Sequence, residues 1–281
     1  MPQAGHYVAE LVRDEDYDRF LTAVLAPKAA RDSLLALYAF NVEVARVRES
    51  VSESLIGQMK LQWWRDVVAA VFEGKPTPKG NPVVDAIAAT ITAHNLSRSH
   101  FEALLDARAQ DMTDETPPDL EALEIYADGT SASLTLLALE VLGARDDASK
   151  QAGRHVGIAW ALTGMLRAVL FHARANRFLL PQDLMAAASL TSHDLHERRN
   201  ATKISTVVAQ IAERAGEHIA KARALRGQVD RKGLAALLPA TLADGYLKGL
   251  ARRKFDVFDP RHALQRPAAL RLSWNAMLGL Y

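Results

Sequence analysis

Nearly the whole chain carries one hydrophobic repeat, and it is the repeat of a helix. From Ile204 the apolar positions run Val207, Val208, Ile211, Ala215, Ile219, Ala222 and Leu225, with Glu213, Arg214, Glu217 and Lys221 between them. A period near 3.6 residues places the first set on one face and the charges on the other. The same pattern predicts helices over 29–47, 55–72, 83–94, 97–112, 120–142, 148–174 and 232–250. No segment shows the alternation of a half-buried strand bounded by turn residues, so the fold is expected to be all-α. The breakers agree. Gly74-Lys75-Pro76-Thr77-Pro78 closes one helix, Pro117-Pro118 precedes another, and Pro181 and Pro260 punctuate the remainder. Stretches 120–142 and 148–174 are apolar around most of their circumference, which predicts two central helices wrapped by the others. No linker divides residues 1–281, and a single domain is expected.

Composition removes whole classes of function. With 49% hydrophobic residues the chain has apolar surface enough for a core, which excludes a disordered tail. Zero cysteines exclude disulfides, zinc–thiolate sites, iron–sulfur clusters and a cysteine nucleophile. None of the nine histidines forms a His-x-x-x-His pair, and no phosphate-binding glycine loop is present. The net charge of +1 hides a division: residues 1–197 carry 18 basic and 27 acidic residues (net −9), and 198–281 carry 16 and 6 (net +10). Such a chain is not a uniformly basic nucleic-acid binder, and no nucleic acid is expected as partner. The acidic run Asp14-Glu15-Asp16-Tyr17-Asp18 is expected to be solvated in a first helical turn rather than to hold a metal. The most apolar runs, 34–40 and 134–139, fall far short of the roughly 20 residues that cross a bilayer. No targeting segment is read at the N-terminus, and a cytoplasmic protein, at most peripheral to the inner membrane, is expected.

Two segments are more specific. One runs Leu37-Tyr38-Ala39-Phe40-Asn41-Val42-Glu43-Val44-Ala45-Arg46-Val47-Arg48-Glu49, with Gln62-Trp63-Trp64-Arg65 after it. The other runs Leu162-Thr163-Gly164-Met165-Leu166-Arg167 on to Arg174-Ala175-Asn176-Arg177-Phe178-Leu179-Leu180-Pro181. They resemble the two signatures of the squalene/phytoene synthase family of head-to-head prenyl transferases, roughly Tyr-Ala-Phe-Cys-Arg-x-x-Asp-Asp-x-x-Asp and Leu-Thr-Asn-Ile-Leu-Arg-Asp-x-x-Glu-Asp. The resemblance implies a helical bundle of the isoprenoid-synthase type. In that family two Asp pairs on facing helices hold Mg²⁺ against a leaving diphosphate, and hard oxygen ligands suit that ion.

This chain departs from the pattern where the metal would sit. The positions matching the two pairs are Ala45 and Glu49, and Ala168 and His172, with Arg46 replacing the adjacent acid. Three of four ligand positions are non-acidic, and Arg46 would repel a cation. No metal is therefore expected. The segments Asn41-Val42-Glu43 and Ser131–Gly143 resemble more closely a branch of the family linked to assembly of respiratory complex I. The resemblance implies a non-catalytic assembly factor whose partners are complex I subunits or assembly proteins. Two alternatives stay open: an Mg²⁺-dependent prenyl diphosphate transferase, and an isoprenoid- or lipid-binding module. Matching to the family makes Tyr38, Arg46, Tyr126, Arg167, Arg174 and Arg177 candidates for binding an anionic substrate. Trp63, Trp64 and Trp160 are expected in the core, and His172 as a neutral packed side chain.

Overall fold

The computed structural model describes residues 2–113, 115–174, 177, 179–259, 261 and 267–281. Its described residues form helices and connecting turns. In chain order the α-helices are α1 (Pro2–Glu15), α2 (Tyr17–Val24), α3 (Lys28–Ala45), α4 (Ser54–Phe72), α5 (Pro82–His94), α6 (Arg98–Ala109), α7 (Leu120–Ala127) and α8 (Ser133–Leu142). There follow α9 (Asp147–Arg167), α10 (Val169–Arg174), α11 (Gln182–Ala187), α12 (Ser192–His196), α13 (Ala201–Ala224), α14 (Leu234–Leu237), α15 (Pro239–Arg252) and α16 (Ala269–Leu278).

Local chemistry fixes most boundaries. Asn81 accepts from the amides of Val83 and Val84, and Pro82 supplies a fixed φ in the first turn of α5. Asp119 and Asp146 cap α7 and α9 in the same way, through Ala122 and Ser149. Gly74, just after α4, has a φ of 64° and sits in the run read as a breaker. Pro260, also read as a breaker, and Ala175, Asn176 and Phe178 of the second signature lie outside the described residues.

Two helices stand at the centre, as the sequence indicates. Nine of the ten residues of α8 are buried, and α9 lies among α7, α8, α13, α14 and α15. On one side Phe40 meets Trp64 and Phe101 edge-to-face, at 5.1 and 5.4 Å between centroids, an arrangement favoured by the ring quadrupoles. On the other, Leu162 and Leu166 of α9 pack with Val207, Val208 and Ile211 of α13. Trp63 departs from expectation: its neighbour Trp64 takes the core position, and Trp63 is left 39% exposed one residue round the helix.

The sequence reads 120–142 and 148–174 each as one uninterrupted helix, and both are interrupted. Asp128–Ala132 forms a π turn between α7 and α8. Ala168 leaves helical geometry between α9 and α10. The π turn is held by close packing. A Cβ on Gly157 of α9 would meet the backbone of Ala132, with its nitrogen at 2.6 Å, and one on Gly129 would stand 2.7 Å from the Ala107 methyl of α6. No described helix is long and apolar enough to cross a membrane.

Candidate functional site

The two signature segments run through the ends of α3 and α9, and three of their four degenerate positions meet across a cavity. Ala45 is the last residue of α3, and Glu49 lies in a separate 3₁₀ turn, Arg48–Ser50. Ala168 caps α9, and His172 sits in α10. Neither pair therefore lies on one continuous helix. Ala45, Glu49 and His172 nonetheless line a common cavity of about 240 Å³, and Ala168 is not among its lining residues.

Cations and a buried polar cluster furnish the wall. Arg108 of α6 donates to the Tyr126 hydroxyl (2.7 Å) and to Asp111 (3.3 Å), Tyr126 donates to Asp111 (2.9 Å), and Arg177 donates to the same carboxylate (3.1 Å). Burial above all pushes the Tyr126 pKa up, so the phenol stays neutral and can donate. Arg19 of α2 reaches in from the opposite side, donating to Asp16 (2.8 Å) and to Ser131 of the π turn (3.1 Å), with Tyr38 and Trp160 rings within 6 Å of its guanidinium. Arg108 Nε is buried without a hydrogen-bond partner.

The sequence-derived candidates divide. Tyr126, Arg177, Glu49, His172 and Ala45 line the cavity. Tyr38 is buried, with its pKa pushed up to about 12 by burial, and touches the site only through Arg19. Arg46 turns away and pairs with Glu15 at 2.7 Å, so its charge does not occupy the expected metal position. Arg167 donates to Asp18 (3.0 Å) and lies over the Tyr246 ring, whose hydroxyl also donates to Asp18. Arg174 is exposed. The acidic run is solvated as expected at Asp14 and Glu15 but not beyond: Asp16 and Asp18 are held by Arg19 and Arg167, and Asp16 caps α2.

Sequence reasoning missed Arg19, Arg108 and Asp111. A signal existed. Arg108 occupies the apolar-face position in the series Phe101, Leu105, Arg108, Met112, and Arg19 does so in the series Arg19, Thr22, Ala23, Ala26. A charge on a helix face that is otherwise buried requires a partner or a polar cavity.

His172 is half-buried and its pKa is pulled down to about 4, first by burial and then by Arg177. The unfolded chain, with its histidines near 6.5, binds more protons than the folded one below that value. The neutral His172 thus contributes stability that is complete above pH 6.5 and is lost as pH falls toward 4. Urea melts of wild type and His172→Gln should show wild type losing about 2 kcal/mol more between pH 7.5 and pH 5. Equal losses would show that His172 is protonated in the fold.

A family model described as squalene/phytoene synthase matches residues 12–272. The chain belongs to the squalene/phytoene synthase family. Among its relatives, the human protein named NADH dehydrogenase (ubiquinone) complex I, assembly factor 6 is 33% identical over 98% of this chain and 80% of its own length. The rat protein of that name is 34% identical over 92% of this chain and 78% of its own. A presqualene diphosphate synthase of Rhodopseudomonas palustris is 27% identical over 70% of each chain. A solved dehydrosqualene synthase superposes with a TM-score of 0.85 at 18% identity, over 99% of this chain and 96% of that one, which establishes a common fold.

Catalytic members of the squalene/phytoene synthase family depend on Mg²⁺. The residues present here do not suit that ion. Mg²⁺ requires several oxygen ligands in octahedral array. The cavity offers Glu49, a neutral imidazole, and an Asp111 already engaged by two arginines and a tyrosine. No group of three His, Asp or Glu among the described residues is arranged to hold a metal ion.

Proposed function

We propose that this squalene/phytoene synthase family member is a non-catalytic factor in the assembly of respiratory complex I, acting through complex I subunits or their assembly proteins. The observation that carries the reading is its similarity, over 98% of the chain, to a protein named for that role. Similarity to the presqualene diphosphate synthase covers only 70%. The cavity supports the same reading. A transferase must neutralise a departing diphosphate with metal ions, and here Ala45, Ala168 and His172 stand at three of the four positions that would seat them.

Deleting the gene from its own host is expected to lower NADH:ubiquinone oxidoreductase activity and leave carotenoid and hopanoid content unchanged. Human cells lacking assembly factor 6 should recover assembled complex I when this chain is expressed in their mitochondria. Purified protein with Mg²⁺ and farnesyl diphosphate should release no more pyrophosphate than a heat-killed control. Release above that control, or unaltered complex I in the deletion strain, would overturn the proposal.

A further inference from the structure

The division of charge along the chain finds no use in the cavity, whose cations come from α2, α6 and residue 177. The surplus lies elsewhere, in the last 84 residues, and that region also carries the most exposed large apolar side chains. In α16, Leu270, Trp274, Met277 and Leu278 are 89, 62, 80 and 50% exposed. At about 100° per residue these four span a stripe roughly 100° wide. The opposite side is docked: Leu272 is buried with Leu238, Leu242 and Tyr246, and Asn275 donates to Thr241 at 3.0 Å. The helix contains no acid, and its single charge, Arg271, stands at the stripe's flank.

Cations border both ends of this stripe. At the start, Arg271 (2.5 Å), Lys248 (2.9 Å) and Arg223 (3.6 Å) converge on Asp244, leaving three positive charges on one largely buried carboxylate. At the end, the Arg231 guanidinium lies against Gly279, just past the last turn. Arg252, Arg253 and Lys254 close the adjoining α15. The chain's other exposed apolar row offers a contrast. Leu55, Ile56, Met59 and Trp63 on α4 stand in a segment of mixed charge, where Glu49, Glu53 and Asp66 balance Arg48, Lys60 and Arg65.

We propose that α16 is a docking surface for an anionic lipid bilayer, lying in the interface with its Leu270–Trp274–Met277–Leu278 stripe inserted and the surrounding cations on the headgroups. An outward tryptophan among aliphatic side chains, on a helix without acids and bordered by more cations than carboxylates, matches the depth profile of that interface. At about 15 Å the helix is too short to span, so it lies flat. A protein groove would take the apolar stripe but gives no reason for cations at both ends.

The test is co-sedimentation of the full chain with vesicles of phosphatidylcholine alone or of equal parts phosphatidylcholine and phosphatidylglycerol. Partition onto the anionic vesicles should exceed that onto neutral ones by roughly tenfold or more, and should weaken severalfold between 50 and 500 mM NaCl. The double variant Leu270→Ser with Met277→Ser should lose roughly tenfold of that partition. The matched pair Leu55→Ser with Met59→Ser on α4 should keep it, and circular dichroism should report both variants folded. Tryptophan emission should shift to the blue on vesicle binding, and Trp274→Phe should abolish the shift. Absence of binding, equal binding to neutral vesicles, or equal loss in the α4 pair would overturn the proposal. So would self-association in lipid-free buffer that the α16 pair abolishes, because the stripe would then belong to a second copy of the chain.

Discussion

Asp111→Ala is expected to lower stability by about 3–5 kcal/mol, the usual cost of removing one partner from a buried ion pair. The reason is the company that this carboxylate keeps. Arg108, Arg177 and the Tyr126 hydroxyl all donate to it, and the two guanidinium groups and the carboxylate are each at most 19% exposed. Removing the carboxylate leaves two cations at the cavity wall with no counter-ion, and the Tyr126 hydroxyl proton without an acceptor. For a domain of this size the melting midpoint should fall by roughly 10 °C. A cycle with Arg108→Met separates lost attraction from stranded charge. Asp111→Leu combined with Arg108→Met should be more stable than Asp111→Leu alone, because the second substitution removes an orphaned cation. Calorimetry on the four proteins checks this, and strict additivity would mean that water has replaced the carboxylate.

The second large effect is Gly157→Ala, expected to cost about 3 kcal/mol in urea denaturation as an overpacked core does. Alanine ordinarily helps a helix, and at Gly216, whose Cβ would enter open space on α13, the same change should stabilise by up to about 1 kcal/mol. At Gly157 the new methyl would stand 2.6 Å from the Ala132 nitrogen and 2.7 Å from the Ser131 carbonyl oxygen. Both are backbone atoms of the π turn, so no side chain can swing aside to make room. Opposite signs at the two glycines, measured in one protein, separate helix propensity from close approach. A neutral Gly157→Ala would mean that α9 and the π turn can part without loss.

Those two sites show what could be read ahead of the structure. The long helices were legible because each has one face that must be buried, and the period of that face is written in residues such as Val207, Ile211 and Ala215. The meeting of Ala45, Glu49, His172 and Arg177 at one cavity was legible through the signature segments, and Tyr126 through the wider match to the family, whereas Ala168 stands off the cavity. The short helices α11 and α12 were not, because five or six residues do not complete two turns of a pattern. Neither was α16, whose apolar side chains point outward and so resemble no core face. The breaks at Ala45 and Ala168 were hidden for another reason. Alanine is the strongest helix former, so local propensity gives no sign that the helices stop there. Arg46 and Arg167 were assigned to the site from position alone, and partners distant in sequence, Glu15 and Asp18, draw them elsewhere.

The π turn at Asp128–Ala132 carries a consequence for changes of length. One residue more than an α-helical turn requires is stored there, so the wide turn absorbs the rotation of about 100° that this residue would otherwise pass on to α8. Almost every side chain of α8 is buried in the orientation that results. Deleting a single residue between 128 and 132 is expected to restore regular α geometry and to leave α8 in its present orientation. Inserting one more, with the wide turn already filled, is expected to turn α8 by about 100° within the core. The register of the central helix is counted in whole residues, and the π turn is where the chain carries one to spare.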